Sequence, residues 1–181
     1  GSETGISSDG AKYQPGVVAG QKIKLFFNQL VRSNQGERNI EDLPLPLSII
    51  ATDIGNGDKV VFRDGSLTKA MRASMSVPGL LAPVDHQGRK LVDGGLVDNV
   101  PIDEVKERCN ADVVIAVNVG SPLLKAEEVG SLLTVSAQMV NILTEQNVTR
   151  SLAKLKSTDV YIKPDLEGIS AGDFPRHAET A

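Results

Sequence analysis

Along the chain, apolar side chains recur first with a helical period and then with an extended one, and this alternation predicts the elements. Over residues 17–33, Ile23, Phe26, Phe27, Leu30 and Val31 fall three or four positions apart, while Lys22, Lys24, Gln29 and Arg32 lie largely on the other side. That is an amphipathic helix with one buried face. Pro44 and Pro46 impose extended backbone ahead of an apolar run at residues 47–52, which reads as a buried strand. Gly55-Asn56-Gly57 signals a turn, and the β-branched and aromatic stretch 59–63 completes a hairpin. Ser66 can cap a short helix running through Leu67, Ala70, Met71 and Ala73 to about Ser76, where Pro78-Gly79 ends it. Its small residues permit close packing.

Residues 80–84 and 90–92 flank a polar stretch, Asp85 to Arg89, and predict a second hairpin. Asn99 and Pro101 then open a helix to about Cys109. Residues 113–119 form a β-branched run between Asp112 and Gly120, the pattern of a central parallel strand buried on both faces. Residues 127–156 predict one long helix with Leu132, Leu133, Met139, Val140, Ile142, Leu143 and Val148 as core candidates, followed by a short strand at 160–162. The alternation implies one α/β domain, with helices on both faces of a largely parallel or mixed sheet. Residues 1–16, rich in Gly, Ser and Asp, read as a flexible lead-in, and 166–181 as a lead-out helix or linker.

Composition narrows the function. A chain of 181 residues with 40% hydrophobic content is long enough for a well-cored domain. Its formal charge of -4, from 19 Lys plus Arg against 23 Asp plus Glu, comes without a basic cluster, so nucleic acid is not an expected partner. One cysteine, Cys109, excludes an internal disulfide and a multi-cysteine metal site, and His86 and His177 are far apart. No apolar run approaches the ~20 residues of a membrane span.

Three places hold candidate chemistry. Gly168-Ile169-Ser170-Ala171-Gly172 matches the letters of a nucleophile elbow, with Asp173 and His177 following. The elbow needs a strand leading straight into the serine, whereas Pro164 to Glu167 intervene; Ser170 as helix N-cap with Asp173 in the capping-box position and Ile169 with Phe174 as a hydrophobic staple accounts for the same residues. Ser74 and Ser76 offer hydroxyls, but at the end of a short helix and with no base nearby in sequence. The third place is Leu91-Val92-Asp93-Gly94-Gly95, where an apolar run delivers a carboxylate to two glycines. Glycines there suit either positive φ or close approach of another backbone or ligand. An acidic turn residue before flexible glycines is the plainer reading.

The blocks around Asp93 decide between them. Ala51-Thr52-Asp53-Ile54, Phe62 to Leu67, Ala70 to Gly79, Pro83-Val84, Leu91 to Pro101 and Ala111 to Val117 follow one another in a series that resembles the second half of a bacterial patatin-like phospholipase domain. The resemblance is specific over residues 43–119. It implies a three-layer α/β/α fold, incomplete at its N-terminus, and a hydrolase working by a Ser-Asp dyad without histidine, metal or cofactor. Asp93 matches the acid of the family's Asp-Gly-Gly motif, supported by Gly94 and Gly95, and would deprotonate a serine that attacks a lipid ester. The family's glycine-rich oxyanion loop and Gly-x-Ser-x-Gly elbow belong before the helix at 17–33, and neither is present. Gly1 to Gly5 places Glu3 where the serine should be, and Gly5 to Asp9 lacks the closing glycine.

The resemblance thus implies the C-terminal piece of a patatin-like domain, residues 17–165, with its nucleophile upstream in a longer parent. A lipid or ester substrate and transient membrane-surface contact follow as expectations. A sheet lacking its first strands predicts self-association through an exposed edge. The competing expectation is a non-catalytic module that binds lipid or a partner chain. Similar domains occur in the bacterial cytoplasm and as passengers on outer-membrane barrels, so compartment stays open.

Overall fold

In this computed structural model, residues 5–7, 10–12, 37–166 and 168 are described. The helix expected at 17–33 and the Ser170 cap lie outside the described residues. The chain is of mixed α/β type and divides into two compact units, Gly1–Val97 and Asp98–Ala181.

In the first unit, β1 (Gly5–Ser7) and β2 (Gly10–Lys12) pair antiparallel, a small hairpin inside the stretch read as lead-in. The main sheet has four strands, β3 (Ile49–Asp53), β4 (Lys59–Phe62), β5 (Val84–His86) and β6 (Arg89–Asp93), in the order β4-β3-β6-β5 and antiparallel throughout. The β3–β4 turn carries Gly57 at φ 79, a conformation that glycine adopts without strain. The β5–β6 turn is tighter than the five polar residues suggested: it is Gln87-Gly88, with φ 49 and 76, so both strands extend into the polar stretch. Two consecutive left-handed residues match the right-handed twist of the flanking strands.

Helix α1 (Leu67–Ser74) begins as expected, with the Ser66 hydroxyl accepting from the Lys69 N–H. It stops two residues short of Ser76. Leu67, Ala70 and Ala73 pack with Ile40, Ala51, Phe62 and Leu91 in the core, where the alanines let the helix sit close to the sheet. Burying a leucine such as Leu91 completely is worth about 1.5–3 kcal/mol relative to exposure. β3 is buried at four of its five positions, so both of its faces are covered, as its apolar run required.

In the second unit, α2 (Ile102–Cys109) ends at Asn110 in the left-handed conformation, and β7 (Ile115–Val117) pairs in parallel with β8 (Val160–Ile162). The Asp159 carboxylate accepts the Val114 N–H at 2.9 Å and the Lys156 N–H at 2.7 Å, which ties the start of β8 to β7. The Lys156 and Val114 N–H donors hold its pKa below the ordinary carboxylate value, opposed by burial and aided by the charges of Lys106 and Lys156. Helix α3 (Leu132–Leu152) starts at Ser131, whose hydroxyl accepts from the Thr134 N–H.

Two expectations fail in this unit. The strand at 113–119 shrinks to three residues; Ala116 is buried, but Ile115 is 65% exposed and Val117 50%, so only one face is covered. Among the described residues β7 pairs with β8 alone. The long helix at 127–156 is broken: Ala126–Glu128 form a 3-10 turn, Val129 and Gly130 interrupt, and α3 follows. Of its core candidates Val148 packs with Val100, Ile102, Val114 and Ala116, whereas Leu132 (83% exposed), Leu133, Met139, Ile142 and Leu143 face outward. Their apolar positions run around the helix rather than along one stripe, so periodicity could not say which side packs.

Candidate functional site

β6 delivers Asp93. Leu91 and Val92 anchor the strand in the interior, and Asp93 occupies its last position, half-buried, where the backbone leaves the sheet. The chain then winds into a 3-10 turn, Gly94–Leu96, for which Asp93 is the N-cap: its Oδ1 accepts the Gly95 N–H at 2.7 Å. The main chain of Asp93 is held on both sides. Its N–H donates to the Ser76 carbonyl at 3.1 Å, and its carbonyl accepts the Thr52 hydroxyl at 2.8 Å. Among the described residues, neither an ion pair nor a hydrogen bond engages Oδ2.

The first of the two glycines, Gly94, is explained by close approach. A Cβ on Gly94 would lie 2.1 Å from the Ile50 carbonyl oxygen and 2.6 Å from its carbon, far inside any real contact, whereas the φ of Gly94 is not positive. The turn after Asp93 is therefore pressed against β3, and no side chain fits between them. Electrostatics follow from the same packing. Burial raises the Asp93 pKa above the ordinary carboxylate value, and the Gly95 N–H opposes that shift. A carboxyl so placed is a stronger base than one in water.

Among the described residues, neither Ser74 nor Ser76 bonds the Asp93 carboxylate. Ser76 is fully buried; its hydroxyl donates to the Arg72 carbonyl at 2.6 Å and accepts from the Arg72 guanidinium, which also reaches the Ala82 carbonyl at 3.3 Å. That hydroxyl both donates to and accepts from Arg72, and the hydrogen bond between Ser76 and Asp93 is made by the Ser76 carbonyl. Burial lowers the pKa of Arg72. Ser74 ends α1 and is not bonded to Asp93. Thr52 and the Ser76 carbonyl are the parts of the site that sequence reasoning passed over; the signal for Thr52 was a hydroxyl at the end of the apolar run Ile49-Ile50-Ala51.

Residues 13–106 match the patatin-like phospholipase family, a span that includes β3 to β6, α1 and the whole Asp93 turn. The chain belongs to the patatin-like phospholipase family. Over 103 residues it is 40% identical to an uncharacterized NTE family protein of Mycobacterium tuberculosis (strain ATCC 25618 / H37Rv), covering 57% of this chain and 27% of the relative. Over 97 residues it is 43% identical to the mouse patatin-like phospholipase domain-containing protein 7, covering 52% of the chain and 7% of that protein. A lysophospholipase NTE1 of the yeast Meyerozyma guilliermondii is 27% identical over 177 residues, 84% of this chain and 12% of its own length. The chain thus spans about a quarter or less of the relatives it matches, and those relatives reach beyond bacteria. In this patatin-like chain the elbow-like letters at Gly168 to Gly172 fall outside the family match, and Ser170 lies outside the described residues.

Proposed function

We propose that this chain is part of a serine lipid acyl hydrolase in which Asp93 is the base of a Ser-Asp dyad. The observation that carries the reading is the state of the Asp93 carboxyl: one oxygen is fixed by the Gly95 N–H, the other is unengaged among the described residues, and burial has raised its pKa. A carboxylate with ordinary pKa near ~4 is a poor base for an alcohol; raising it narrows the gap. In the reaction Asp93 takes the serine proton as the hydroxyl oxygen bonds the ester carbonyl carbon. The proton passes to the leaving alkoxide, and water then releases the acyl group by the same route. The serine belongs upstream in a longer parent, consistent with the much greater length of the relatives. Residues 17–165 form the C-terminal portion of the patatin-like domain, between a lead-in at 1–16 and a lead-out at 166–181.

The expected outcome is that the 181-residue chain alone does not hydrolyse p-nitrophenyl esters. A longer protein including the upstream region does, and Asp93→Asn lowers its kcat by about 10²–10⁴-fold, the usual worth of a positioned base. Full activity in that variant overturns the assignment. A second reading, a non-catalytic module that binds lipid or a partner chain, is favoured by one observation: among the described residues no serine hydroxyl bonds the Asp93 carboxylate. An inert longer protein that still binds phospholipid vesicles would decide for it. Transient contact with a membrane surface and self-association belong to either reading.

A further inference from the structure

Thr52 is 3% exposed, at a position on β3 where the neighbours Ile50 and Ala51 are apolar and buried. A buried hydroxyl costs stability unless bonded, and valine would fill the same space with equal preference for a strand. The hydroxyl proton goes to one place, the Asp93 carbonyl at 2.8 Å. A carbonyl shares its plane with the next N–H, so holding the Asp93 oxygen fixes that peptide and the path into Gly94. The next amide along that path is the Gly95 N–H, which ends 2.7 Å from Asp93 Oδ1. On the opposite side the Ser76 carbonyl holds the Asp93 N–H at 3.1 Å, so both peptides flanking the residue are clamped.

We infer that Thr52 is a positioning residue for Asp93: its hydroxyl orients the peptide after Asp93 so that the Gly95 N–H points at the carboxylate and leaves Oδ2 to the reaction. Its catalytic meaning rests on the proposed role of Asp93, but the geometry can be tested without activity. The ionisable groups on the elements packed against β6 are Asp53 on β3, Lys69 and Arg72 on α1, and Asp85 and His86 on β5. Asp53 pairs with Arg89, Asp85 with Lys90, and Arg72 bonds Ser76 and Ala82; none bonds the Asp93 carboxylate. A change in how Asp93 titrates therefore reports either its burial or the Gly95 contact, and the Gly95 amide proton tells the two apart.

The test is an NMR titration of the 181-residue chain, following the Gly95 amide proton and the Asp93 side-chain carboxyl carbon. In the wild type the amide proton should move downfield as Asp93 ionises. Thr52→Val should shrink that movement and shift the Asp93 midpoint upward, because a donor to the charged form is weakened. Thr52→Ser should restore both. A folded Thr52→Val with wild-type titration overturns the inference. If Thr52→Val does not fold, Thr52→Ser and Thr52→Ala make the same comparison through one oxygen: Ser titrating as wild type with Ala shifted supports it, and identical behaviour overturns it. Activity of Asp93→Asn in the longer protein would remove the catalytic role while leaving the titration result standing, so the two failures are distinguishable.

Discussion

Asp93→Asn separates the two contributions of this carboxyl. The amide keeps an oxygen for the Gly95 N–H, so the turn is retained, but it cannot accept a proton from a nucleophile. Folding raises the Asp93 pKa, which means the unfolded chain ionises first. Its contribution to stability is therefore fully present below the ordinary carboxylate pKa and is lost as pH rises through the folded value. Asp93→Asn should accordingly raise the Tm at pH 7 relative to wild type, with the difference vanishing under acid conditions; calorimetry at both pH values checks it. Gly94→Ala should do the opposite. With a carbonyl oxygen 2.1 Å from the new methyl carbon, strand β3 or the turn must move, and a loss of about 1–3 kcal/mol in urea unfolding is expected. A loss below 1 kcal/mol would mean that the turn is not pressed against β3. The sequence made Asp93 and its glycines conspicuous, but close approach is a property of a strand some forty residues away, and no reading of Asp93-Gly94-Gly95 alone could choose it over positive φ.

At the scale of elements, local signals were sufficient wherever the cause was local. Ser66 before Leu67 marks the start of α1 because capping involves residues three apart. The hairpins of β3–β4 and β5–β6 were legible from Gly57 and Gly88 for the same reason. Burial of β7 and α3 was not, because exposure depends on which other element arrives. β-branched residues at Ile115 and Val117 describe a strand equally well with one face covered or two. The contrast gives a direct test. Leu91→Ala, at a fully buried position, should cost about 2–5 kcal/mol, while Leu132→Ala, on the outward side of α3, should stay within about 0.5 kcal/mol. Equal costs in a denaturant titration would show that α3 is covered in solution.

Across the whole molecule, the α/β type and the family were legible in the sequence. The order of short motifs from β3 to β7 survives even where single boundaries shift, and the family match covers much of that stretch. The nucleophile was not legible in the residues given, and Asp93 stands in the described structure without a serine bonded to it. Exposed apolar side chains on α3, together with strands β4 and β5, each of which pairs with one strand among the described residues, add to the expectation of self-association. Light scattering should show a mass that grows with concentration; a monomer across a hundredfold range would remove that expectation.

The clamp on Asp93 also has a kinetic consequence. The β5–β6 hairpin closes over a two-residue turn, but the Thr52 hydroxyl and the Asp93 carbonyl lie 41 positions apart, and β3 must find β6 before the bond exists. Loops of that length close late relative to hairpins. The carboxylate therefore gains its geometry near the end of folding, after the strand that carries it has formed. Weakening the clamp should then speed unfolding while leaving the refolding rate nearly unchanged.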